Sequence, residues 1–190
     1  MKKHIFPAGL PGFVLTASLI VALGLTAGAQ QQKPTTPPTL KSILLAQFRQ
    51  TWHEQDWFVP VKQGLQGITA EQAIWKASDS SHSIGELAYH ILFWNKRSLD
   101  KFNNQKSPAF DGNNNETFTA FTAASWASTV QQLDQCMKDW ETAIEKADEA
   151  KLKDWYDTLA HINIHTAYHT GQILFIRKLA GNWDSKKGVH

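Results

Sequence analysis

Four separate stretches of this 190-residue chain repeat apolar residues at intervals of three and four. Leu40, Ile43, Leu44, Phe48 and Trp52 form the first, and Ile84, Leu87, Ile91, Trp94 and Phe102 the second. Trp126, Val130, Leu133, Met137, Trp140 and Ile144 form the third, at near-heptad spacing, and Ile162, Ile173 and Ile176 the fourth. Such spacing gathers the side chains on one face of an α-helix. No stretch alternates convincingly with a period of two, so strands do not compete. A single amphipathic helix has nothing to bury its stripe against, and four stripes satisfy one another in a bundle. The fold class that follows is all-α, a four-helix bundle with two long connections.

The punctuation agrees with this reading. Thr39 is placed to cap the first helix, and Ser83 followed by Glu86 is a capping-box signal for the second. Pro60 kinks or restarts the first helical segment, and Thr69 can cap a short turn with Ala73 and Trp75 returning to the core. The second helix is expected to end near Lys101–Asn104. A long polar loop then covers Gln105 to Ala124, in which Phe110, Phe118 and Phe121 would be costly to leave together in water. Ser125 is expected to cap the third helix. The charge run Asp148 to Asp154 reads as a solvated helix end and connection, and the last helix as Leu159 to Leu179, stopped by Gly181. Thr166 falls on its apolar stripe, where its hydroxyl can bond a carbonyl one turn back. Gly171 is expected to permit a close helix crossing.

The first 29 residues read differently. Lys2 and Lys3 precede an apolar run from about Phe13 to Leu25, and Ala27-Gly28-Ala29 offers small residues for cleavage. This is the pattern of a secretory signal peptide, and the run is short and interrupted for a membrane span. The expected organisation is a signal peptide over 1–29, a Pro/Thr/Gln-rich disordered tether over 30–39 and the bundle domain over 40–190. The mature chain is then exported, to the periplasm or beyond, with no stable membrane span. Removing Lys2 and Lys3 from the 19 basic residues leaves 17 against 17 acidic ones. A neutral chain without a basic patch gives no electrostatic case for nucleic-acid binding. Cys136 is the single cysteine, so no intramolecular disulfide forms. Its place beside Leu133, Met137 and Trp140 reads as a packed, inert thiol.

Histidine is where the chain departs from a bland bundle. His165 and His169 stand one helical turn apart and follow Ile162 on much the same face. Imidazoles placed so need either hydrogen-bond partners or a metal. Spacing alone leaves both readings open. His90 lies beside the Leu87/Ile91/Trp94 face of the second helix and can converge on the pair. Three neutral nitrogen donors suit Zn²⁺, Ni²⁺, Fe²⁺ or Mn²⁺ and leave coordination positions open. His161, His82, His53, Glu86 and Gln172 are weaker candidates, each with a plain structural role available.

Two segments resemble a known family. His82-Ser-Ile-Gly-Glu-Leu-Ala-Tyr-His90 and His165-Thr-Ala-Tyr-His-Thr-Gly-Gln-Ile173 are similar to the two anchors of the DinB-like family, and the resemblance extends from about Leu40 to Leu179. It implies an up-down-down-up bundle, often dimeric, in which one histidine of the second main helix and two of the last bind a divalent metal. That role falls on His90, His165 and His169. Some relatives are thiol S-transferases and others metal-dependent hydrolases, so a small-molecule substrate is implied. The export signal departs from a cytoplasmic thiol-transferase, because thiol cofactors are scarce outside the membrane.

Three functions remain at this level. One is a metal-dependent hydrolase or thiol-transferase with no identified catalytic side chain. Another is a non-catalytic metal-binding or stress-related interaction protein. The last is a bundle with packed, metal-free histidines.

Overall fold

The computed structural model describes residues 37–188. The signal peptide and most of the tether lie outside the described residues. Helix α1 (Leu40–Trp52) starts where Thr39 accepts a hydrogen bond from the Ser42 amide, with the Ser42 side chain reciprocating. Pro60 then precedes α2 (Val61–Leu65), and a second capping box on Thr69 and Gln72 opens α3 (Ala70–Ile74). The third, on Ser83 and Glu86, opens α4 (Ile84–Phe102). Each such cap satisfies amides that the helix leaves unpaired, and losing one costs about 1 kcal/mol. Next come α5 (Glu116–Thr119), α6 (Trp126–Lys146) and α7 (Glu149–Leu179).

The fold is therefore all-α with a core of α1, α4, α6 and α7, but it has more than four helices. The stretch expected to be a long polar loop folds α5 within it. α7 begins ten residues before the expected Leu159. Asp148 caps it through the Lys151 amide, and Leu152, Trp155 and Leu159 continue the apolar stripe backwards through the charge run. Ser125 gives α6 no side-chain cap; it closes a 3₁₀ turn on Thr122 instead. At the other end Gly181 adopts φ +67°, the left-handed conformation that ends helices and suits glycine.

Pair contacts set the directions. Phe121, against Gly85 at the start of α4, is also edge-on to Trp126 at the start of α6, while Trp140 further along α6 donates its indole N–H to the Asn95 carbonyl and meets Phe102, so α4 and α6 run the same way. Ala147 and Asp148 separate α6 from α7, and each of these two helices packs on α1 and α4. Phe102 meets Trp155 while His90 meets His165, so α4 and α7 run oppositely. Trp140 lies at the centre, with Phe48 and Phe102 each 5.4 Å away by ring centroid. Phe48, Leu87, Ile91, Leu133 and Leu152 are fully enclosed around them. Each such side chain contributes about 1.5–3 kcal/mol by leaving water.

Two local expectations fail. A Cβ on Gly171 would meet nothing within 4 Å, so no helix crosses closely there. Gly85 is the tight position: a Cβ there would lie 2.1 Å from the Phe121 ring. Thr166 does not bond the preceding turn either. Its hydroxyl oxygen accepts from Asn95 Nδ2 across α4 and α7 at 3.2 Å. Cys136 is buried as expected, and burial pushes its thiol up to about 12, which leaves it protonated. Among the described residues no helix is long and apolar enough to cross a membrane.

Candidate metal centre

α7 carries His165 and His169 four residues apart, so one turn of rigid helix fixes their separation. His90 comes from the second turn of α4, which runs antiparallel against them. The packing of Ile91 and Leu87 on one side and Ile162 and Ile173 on the other brings the three rings together. His165 Nε2 lies 3.0 Å from His90 Nε2 and 3.1 Å from His169 Nε2. All three sequence-predicted ligands therefore meet in one cluster, the group among the described residues with the spacing of a metal site.

The outer nitrogens settle which ring atom faces inward. Thr117 of α5 donates its hydroxyl proton to the Asn114 carbonyl at 2.6 Å. Its oxygen is then left to accept from His90 Nδ1 at 2.5 Å. His169 Nδ1 donates in the same way to the Gln172 amide oxygen at 2.6 Å. With both protons on Nδ1, both Nε2 lone pairs point into the cluster. Among the described residues His165 has no hydrogen-bond partner at Nδ1, and it meets the other two through Nε2. Such outer partners hold a ligating imidazole in its tautomer and orientation.

The electrostatics match. His90 is 2% exposed, and burial, together with His169, His165 and His82 nearby, lowers its pKa from 6.5 to about 3. Burial and His169 lower His165 to about 4, and burial lowers His169 as well. Three imidazoles held neutral at physiological pH are three available donors. The spacing fits too, since a tetrahedral centre with metal–nitrogen bonds of about 2.0–2.1 Å separates its nitrogens by about 3.3 Å. The donor set thus fits a divalent transition metal.

The cluster sits at the floor of an open cleft of about 530 Å³. Trp94, Asn114, Thr158, His161 and Tyr168 line its walls. The open side leaves space beside the three nitrogens. Phe118 lies flat between His90 and His82, with ring centroids 3.9 Å apart on each face.

The weaker candidates separate cleanly. His161 is exposed at the cleft, with Nδ1 2.9 Å from the Asp157 carbonyl. His82 stacks on Phe118, and its Nδ1 approaches the Glu86 carboxylate at 3.7 Å, so it stays one ring away from the cluster. Glu86 has the plain role, capping Ser83 and pairing with Lys76 at 2.7 Å. His53 lies away from the cluster and pairs with Glu141 at 3.0 Å. Gln172 reaches the site as the partner of His169. Thr117 is the residue that sequence reasoning missed. It stands 27 positions from His90 in a segment without periodicity, and no local pattern announces that contact.

The sequence model of the DinB superfamily matches residues 47–173, well over half of the chain. The chain belongs to the DinB superfamily. The matched span runs from α1 to α7 and includes all three histidines of the cluster. No curated protein and no solved structure matches this DinB-superfamily chain.

Proposed function

We propose that this protein is a divalent-metal-dependent enzyme of hydrolase or thiol-transferase type, with His90, His165 and His169 as the metal ligands. The observation that carries this reading is the convergence of three Nε2 atoms, two of them with lone pairs aimed inward by Thr117 and Gln172. A bound Zn²⁺, Ni²⁺, Fe²⁺ or Mn²⁺ would supply Lewis acidity, lowering the pKa of a water or thiol beside it. The protein's own part is to bring three neutral donors together, two of them fixed by outer partners, and to keep the cleft side open for a small-molecule substrate. Within this reading the four long helices form the up-down-down-up bundle, supported by the parallel α4–α6 and antiparallel α4–α7 contacts. The N-terminal export pattern favours the hydrolase over the thiol-transferase, and homodimers are the expected assembly.

The test is metal analysis of purified wild type beside the triple variant His90→Ala/His165→Ala/His169→Ala. One equivalent in the wild type and none in the variant supports the reading. Negligible metal in both overturns it. A non-catalytic metal-binding role is favoured by one observation: among the described residues no carboxylate lines the cleft to serve as a general base. Metal-dependent turnover that His169→Ala abolishes, with the helical fold intact, would rule that role out.

A further inference from the structure

The lining of the histidine cleft has an unusual charge pattern. Among the described residues that form it there is no Asp, Glu, Lys or Arg. Cavities elsewhere on the molecule differ. Lys96 and Asp139 line the one between α4 and α6, Lys62 and Asp134 the one between α2 and α6, and Asp56 the one between α1 and α7. The Asp157 carboxylate approaches His161 Nδ1 at 3.4 Å but does not itself line the cleft.

Two consequences follow, both resting on the metal reading above. Three neutral imidazoles contribute no counter-charge, so an anion that balances a divalent cation there has to arrive with the ligand or from solvent. The described lining offers no lysine or arginine to grip a second anionic group and no carboxylate to grip an ammonium, and His161 is already turned through Nδ1 to Asp157. The walls offer rings instead. Trp94 is half-buried, and its indole N–H is already engaged by Asn114 Oδ1 at 3.2 Å, so its remaining surface is apolar. Tyr168 is 63% exposed, with its ring edge-on to His169 at 5.0 Å, beside the cluster. An exposed aromatic at the mouth of a site is apolar area waiting to be covered.

We propose that the cleft selects ligands that present one anionic donor group to the histidine cluster on an uncharged aromatic or apolar body, which packs against Trp94 and Tyr168. Doubly charged molecules such as phosphate esters are disfavoured, because beyond the cluster the described lining holds no lysine or arginine to meet a second full negative charge.

The proposal is tested with three hydroxamates that share a metal-binding head and differ in body. The protein is loaded with Co²⁺, its metal content is measured, and the visible spectrum is titrated with acetohydroxamate, benzohydroxamate and the monohydroxamate of succinic acid. Benzohydroxamate is expected to bind about tenfold tighter than acetohydroxamate, a difference of about 1.4 kcal/mol. The succinic compound, with its free carboxylate, is expected to gain nothing over acetohydroxamate. Tyr168→Ala and Trp94→Ala should each shrink the phenyl advantage, read as the ratio of benzohydroxamate to acetohydroxamate affinity within the same Co²⁺-loaded variant. Equal affinities for all three, a gain from the free carboxylate, or a phenyl advantage that survives in both variants would overturn the proposal. Absence of Co²⁺ uptake is read before any hydroxamate is added, and overturns the metal reading together with the selectivity built on it.

Discussion

Replacing Thr117 by valine removes one hydroxyl and almost no volume, so packing around α5 should survive. Two groups lose their partner: the Nδ1–H of His90 and the carbonyl of Asn114. Both Thr117 and His90 are almost wholly enclosed, at 1% and 2% exposed, so water cannot easily replace the hydroxyl. Leaving a buried donor unmade costs about 1–3 kcal/mol. At about 2–4 °C of melting temperature per kcal/mol for a chain of this length, a loss of about 2 kcal/mol lowers the metal-free midpoint by about 4–8 °C. The larger effect is on the metal. His90 can escape the orphaned donor by moving its proton to Nε2, which blocks the nitrogen that faces His165. Loss of such an outer partner typically lowers metal affinity by about 10–100-fold. Competition against a chromophoric chelator measures the affinity, calorimetry the midpoint, and nitrogen NMR of the imidazoles the tautomer of His90. Thr117→Ser keeps the hydroxyl and should restore all three. A valine variant that matches wild type in affinity and tautomer, or a serine variant as impaired as valine, would refute the tautomer argument.

Two further outcomes follow from the same structure. His90 and His165 stay neutral in the fold down to about pH 3 and about pH 4, whereas an unfolded histidine titrates near 6.5. Between these values the unfolded chain binds protons that the native state does not, so metal-free stability is full above about pH 6.5 and falls as pH is lowered. At pH 5 the loss is roughly 2–4 kcal/mol for the pair, after allowing for solvent screening at the partly exposed His165. Thermal melts of chelator-treated protein should show it, and a midpoint flat between pH 7.5 and pH 5 would contradict the shifts. Gly85→Ala gains helix propensity but sets a methyl group 2.1 Å from the Phe121 ring. We expect a net loss of about 1–2 kcal/mol, relieved when Phe121 is also changed to leucine; an equal loss in both backgrounds would mean that the clash is not the cause.

What the sequence reveals depends on how local the signal is. The apolar stripes of α1, α4 and α6, the boxes on Thr39, Thr69 and Ser83, and the stop at Gly181 all act within a few residues, and each is readable. The start of α7 was obscured by its charge run, although Leu152, Trp155 and Leu159 stand at helical spacing there. The His165/His169 pair is local, His90 is legible as a histidine beside the core face of the second helix, and the resemblance gives it the third ligand role. The remaining support for the site is long-range. Thr117 and Phe118 reach His90 from a segment whose short helix has no periodicity, so only the assembled fold shows them at the centre. Gly171 shows the opposite error, since a glycine in a helix suggested a crossing that the fold does not make.

The three histidines are not equivalent. Thr117 anchors His90 and Gln172 anchors His169, but among the described residues no hydrogen bond holds the far side of the His165 ring. A ring tethered at one edge can pivot while its neighbours stay put. The first bond broken when metal is stripped, and the last made when it is captured, should therefore be the one to His165. If the cluster holds a metal, the rate of its exchange would follow the freedom of this one ring, while its affinity would draw on all three.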